Sequence, residues 1–70
     1  MIYFYERRGR FTRCEVQMSD DTGYELVVHG ADGSRHQEQF ASYDALVKRL
    51  DVVHVDLTRR GWGGPHGRDI

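Results

Sequence analysis

Apolar and polar positions in the first part of the chain fall into four strand-length pieces, 2–6, 10–18, 24–30 and 34–41, separated by turn signals that each contain glycine. The turns are Arg7-Arg8-Gly9, Asp20-Asp21-Thr22-Gly23 and Ala31-Asp32-Gly33. Tyr, Phe, Val and Thr are frequent in the pieces between them, as suits a pleated, half-buried surface. The pattern predicts an antiparallel four-stranded meander.

Turn length sets the register, because a slip of one residue moves every side chain to the other face. If Asp32-Gly33 were a two-residue turn, Phe40 would share a face with Glu25, and Leu26 with Gln37 and Gln39. If Ala31-Asp32-Gly33 is a three-residue loop with Gly33 left-handed, one face collects Tyr24, Leu26, Val28, His36, Glu38 and Phe40. The other then collects Glu25, Val27, His29, Arg35, Gln37 and Gln39. The second register separates apolar from polar better and is preferred. The same loop type at Arg7-Arg8-Gly9 predicts Ile2, Phe4, Thr12, Cys14, Val16 and Met18 facing inward. Tyr3, Tyr5, Phe11, Arg13, Glu15 and Gln17 then face outward.

A change of period follows. Leu46, Leu50, Val53 and Leu57 recur at spacings of four, three and four, one face of a helix, with Val47 beside them. Ser42 is an N-cap, Asp44 lies in the first turn where the helix dipole favours an acid, and Arg59 and Arg60 lie in the last. Gly61 can take the left-handed cap, with Pro65 beyond it. These signals predict a helix over 43–60, although the β-branched residues of 52–55 would also suit a strand. Such a helix, about 27 Å long, covers one sheet face and leaves nothing to cover the other. The expected fold is α+β, ββββα. A single domain spans 1–62, and a flexible Gly/Pro-rich tail spans 63–70, whose composition cannot pack by itself.

Seventy residues hold one core, and a chain this short buries only about 60% of its unfolded surface. Cys14 is the one cysteine, which excludes an internal disulfide and fits a reducing compartment. Small scaffolds without such staples often gain stability from a partner subunit, so a homodimer is expected. The N-terminal apolar run is too short for a signal peptide or a membrane span, and a cytoplasmic location is expected, with no membrane partner. Segment 61–68, with Arg13-Cys14-Glu15 and Tyr24-Glu25-Leu26, resembles short uncharacterised bacterial proteins of about 70 residues. That resemblance implies no activity.

Formal net charge is −1, yet residues 1–13 carry +3, 14–56 carry −6 and 57–70 carry +2. The ends are basic and the middle is acidic. Tyr3, Tyr5 and Phe11 beside Arg13 on the uncovered face, with Arg7, Arg8 and Arg10 at the hairpin tip, form the expected binding surface. Aromatic rings and arginines on a sheet suit stacked bases and phosphates, whereas Glu15 and Glu25 on the same face, and the negative net charge, favour a protein partner or self-association. Trp62, just past the helix cap, either folds back over the core or anchors a partner.

His29 and His36 fall on opposite faces in the preferred register and could meet, with Glu38, only in the rejected one, so no metal site is expected. His54 reads as a boundary residue on the helix and His66 as a solvated one. Cys14 reads as an apolar filler. No Ser/His/Asp set, phosphate-binding loop or carboxylate pair can be placed. The chain is therefore expected to be a non-enzymatic interaction module without cofactor, with binding of single-stranded nucleic acid as the alternative.

Overall fold

A computed structural model describes residues 1–21 and 23–68, without the side chains of residues 67 and 68. The chain forms β1 (Ile2–Arg7), β2 (Arg10–Ser19), β3 (Gly23–His29), β4 (Arg35–Phe40), α1 (Tyr43–Arg59) and β5 (Gly63–Arg68). The sheet is antiparallel, in the order β4-β3-β2-β1-β5. This is the expected α+β architecture with one strand more. Among the described residues, no helix is long and apolar enough to cross a membrane.

The helix starts and stops where its caps place it. Ser42 is extended, and its Oγ accepts from the Ala45 N–H at 3.2 Å, which satisfies one of the backbone donors that a helix start leaves unpaired. At the other end Arg60 is the C-cap and Gly61 is left-handed, at φ 88°. The Gly61 N–H donates to the Thr58 carbonyl and the Trp62 N–H to the Leu57 carbonyl, a pair of bonds that closes the last turn and directs the chain back toward the sheet. Residues 52–55 are helical, because the apolar face from Leu46 to Leu57 gains more by packing than β-branching loses.

The β3–β4 loop is the expected three-residue type. The Gly33 N–H donates to the Gly30 carbonyl, the Gly30 N–H to the Ser34 carbonyl, and Gly33 lies at φ 87°. Tyr24 therefore faces Phe40, and Val28 faces His36. The β1–β2 loop differs: Arg7 pairs with Arg10, so the loop is Arg8-Gly9 alone. Both of its residues have positive φ, 52° and 78°. That is the primed two-residue turn, whose twist matches the flanking strands, and it holds Arg8 in a conformation uncommon for a residue with a side chain. Its consequence is a reversed parity for β1. Tyr3 now stands opposite Cys14 and Tyr5 opposite Thr12, so these tyrosines face the helix, and Ile2 and Phe4 face away.

The core is Tyr5, Cys14, Leu26 and Leu46, flanked by Tyr3, Val16, Tyr24, Val28, Phe40, Leu50, Val53, Leu57 and Trp62. Strand alternation places every sheet residue of this set on one face. Burying Tyr5 rather than Phe4 is possible because the phenol finds a partner across the layers: its Oη lies 3.1 Å from Nδ1 of His54, and a buried tyrosine hydroxyl needs such a partner.

The segment expected as a flexible tail forms the fifth strand through residue 68, and residues 69 and 70 lie outside the described residues. It has no apolar pattern to announce it. Its pairing rests on the backbone of β1, with an irregularity between Phe4 and Glu6. Gly64 makes the approach possible: at φ 135°, a Cβ there would lie 2.8 Å from the Phe4 carbonyl oxygen and 3.2 Å from the Tyr5 ring.

Candidate binding surfaces

The register lays the uncovered face out in rows. One row runs His66, Phe4, Arg13, His29, Arg35 across β5, β1, β2, β3 and β4. The next runs Ile2, Glu15, Val27, Gln37, and the one after Gln17, Glu25, Gln39. On the hairpin side of the first row, Glu6 stands beside Phe11. The face is therefore basic in its first row and carries Glu15 and Glu25 in the next two, the first of which has Arg68 at its β5 end, and its apolar residues lie on β1, on Phe11 at the tip of β2, and at Val27.

Several polar groups on it engage one another. Glu15 forms an ion pair with Arg13 Nη2 at 2.9 Å and lies 3.5 Å from His29 Nε2. Gln37 donates to Glu25 at 2.6 Å. These pairs close over the β2–β4 half of the face. The β1–β2 half stays open, and Phe11 is 56% exposed there.

Of the aromatic residues expected on this surface, the structure keeps Phe11, beside Arg13, and removes Tyr3 and Tyr5 to the helix side, for the turn-geometry reason above. Phe4 and Ile2 take their places. The degenerate run Ile2-Tyr3-Phe4-Tyr5 hid this exchange, since each parity offers apolar residues to each face.

Arg7, Arg8 and Arg10 lie at the hairpin end, as expected, but Arg7 and Arg10 belong to the helix side by parity. The Arg7 Nε lies 3.6 Å from where a Cβ on Gly61 would stand, so the hairpin tip meets the end of α1, where Arg59 and Arg60 sit. Arg10 Nη2 donates to the Ala31 carbonyl at 3.2 Å. The two basic segments of the sequence thus converge on one end of the molecule, brought together by the β1–β5 pairing. Trp62 packs half-buried against the core, which is the fold-back alternative and not the exposed anchor.

On the covered side, Cys14 is buried and its thiol is pushed up to about 11 by burial, so it stays protonated and unreactive near neutral pH. Burial, with Cys14 and Tyr3 nearby, also raises the Tyr5 phenol. His54 is the residue whose role the sequence reading missed. Its spacing from Leu50 and Leu57 puts it on the inward helical face, and that was the available signal. His29 and His36 lie on opposite faces; His36 reaches Glu38 at 3.3 Å, beside the Arg49–Glu38 pair at 2.8 Å that ties α1 to β4.

No protein-family profile, curated protein or solved structure matches the chain.

Proposed function

We propose that the chain is a non-enzymatic interaction module that acts through protein contacts and pairs with a second copy of itself across the uncovered sheet face. The observation that carries this reading is the open β1–β2 half of that face, where Phe11 is largely exposed on the same face as Phe4 and Ile2. A sheet normally buries such residues against a second layer.

The charge rows supply a reason for the partner to be a copy. A two-fold axis through the middle of the face would set the Arg13–His29–Arg35 row of one protomer over the Glu25 row of the other, and the reverse contact comes with it. Five strands about 4.8 Å apart and roughly 20 Å long give a face of roughly 500 Å². The pair would bury about 1,000 Å², near the lower bound of specific interfaces, so the dimer is weak and concentration-dependent.

Size-exclusion chromatography with light scattering tests this directly. The expected mass rises from 8.2 kDa toward twice that value as concentration rises, and Phe11→Ser holds the chain at the lower mass. A strict monomer at millimolar concentration ends the dimer reading.

A second reading rests on the rings of Phe4 and Phe11 beside Arg13, with Arg8 at the tip, which together suit stacked bases and a phosphate backbone. Its support is thinner, since Glu6, Glu15 and Glu25 share the face. Anisotropy of labelled single-stranded DNA at two salt concentrations decides it, because phosphate contacts must weaken as salt rises. No change in anisotropy at low salt removes it.

A further inference from the structure

Between sheet and helix, on the side away from the proposed dimer face, a cleft of about 370 Å³ opens beside the core. That lies in the lower part of the range of small-molecule sites. Tyr3, Tyr5 and Cys14 line it from the sheet, and Leu50 and Val53 from the helix; Pro65 of β5 contributes a third side. The Tyr5–His54 hydrogen bond, with ring centroids 6.0 Å apart, bridges the two layers within the cleft.

The chemistry of the lining is one-sided. Among the described residues, its one formally charged group is the Asp51 carboxylate, and no lysine or arginine lines it, although the chain carries ten basic residues. Cys14 contributes a neutral thiol. The Tyr5 phenol is taken by His54, and the Tyr3 phenol donates to the Met1 sulfur, so the tyrosines offer mainly their ring surfaces. Aromatic faces attract cations and not anions, because the ring quadrupole is negative over its face. An apolar body would be drawn from water by the aliphatic and ring surfaces, while an ammonium group would find Asp51 and the tyrosine rings. A carboxylate would face the like charge of Asp51 and lose its hydration.

We propose that this cleft binds a small organic cation with an apolar body, of the class of primary arylalkylamines, with Asp51 as counter-ion. The proposal does not depend on self-association, since none of the lining residues lies on the open face.

The test is an amide NMR titration with three ligands of nearly equal shape: phenethylamine, 2-phenylethanol and 3-phenylpropionate. The expected result is that the amine shifts the amides of Tyr3, Tyr5, Cys14, Val53 and His54 and binds about tenfold tighter than the alcohol, with the carboxylate weakest. In Asp51→Asn, an exposed position that the fold does not need, the amine falls to the affinity of the alcohol and the alcohol is unchanged. A carboxylate that binds as well as the amine, an amine-to-alcohol ratio indifferent to Asp51→Asn, or the absence of shifts at cleft residues overturns the proposal.

Discussion

Leu26 and Val27 are neighbours in β3, point to opposite faces of one sheet, and are 0% and 2% exposed. They reach the same burial by different means. Leu26 lies under α1 among Tyr5, Cys14 and Leu46, where each methyl group is held by close apolar packing. Val27 has no layer over it. It stands between Glu15 and Gln37 in its row, and the polar arms of the Arg13–Glu15–His29 and Gln37–Glu25 pairs lie over that part of the face. The difference teaches that low exposure does not by itself mark a core. One face is sealed by apolar packing that cannot be removed without unfolding the chain, and the other by side chains that can swing aside when a partner arrives.

The largest expected effect lies on the covered face. Leu46→Ala removes a fully buried side chain and costs about 2–5 kcal/mol, most of what a domain of this size has, so the far-ultraviolet circular dichroism signal should show substantial unfolding at room temperature. Retention of a cooperative urea transition with an unchanged midpoint would break the contrast.

Next comes the pH dependence of the same face. The Cys14 thiol ionises at about 11 in the folded chain, against 9.0 for its unperturbed value. The unfolded chain therefore loses its proton first, so the stabilisation is complete below pH 9 and declines as pH rises through 11. At about 1.4 kcal/mol per unit the loss reached by about pH 10.5 is about 2 kcal/mol, with the raised Tyr5 phenol adding in the same direction. Urea unfolding near neutral pH and at about pH 10.5 should show it. Cys14→Ala should flatten the slope even though its own stability is lower.

A mirrored pair comes third. Tyr5→Phe deletes the bond to His54 and costs about 1 kcal/mol, whereas Phe4→Tyr, one residue away but facing solvent, should change stability by less than about 0.5 kcal/mol. Equal effects would mean the parity of β1 is wrong. The smallest effect belongs to Phe11→Ser, within about 0.5 kcal/mol for the dilute monomer, while the association constant measured by sedimentation falls at least tenfold.

Much of this fold is legible in the residues. The helix could be read because Ser42, Asp44 and Gly61 bracket an apolar period of three and four that runs through the β-branched residues of 52–55. The β3–β4 register could be read because Leu26, Val28 and Phe40 alternate with Glu25, His29 and Gln39, so a wrong parity puts polar groups inside. β1 offers no such contrast. With Tyr3 and Tyr5 as apolar as Ile2 and Phe4 at this level, its parity depends on whether Arg8 accepts a left-handed backbone, a matter of about 1 kcal/mol decided by sheet twist. β5 was illegible for another reason: glycine carries no pattern, and what recruits the strand is the unpaired edge of β1. The structure accordingly places Phe11 and Arg13 on the open face, where they were expected, and the tyrosines under the helix.

The convergence of Arg7, Arg8, Arg59 and Arg60 at one end gives the molecule a polarity that its net charge conceals. On a chromatographic resin it is the local field, not the sum, that meets the support. A chain with formal charge −1 should therefore be retained by a sulfonate cation exchanger at neutral pH, arginine end down, and be released by modest salt.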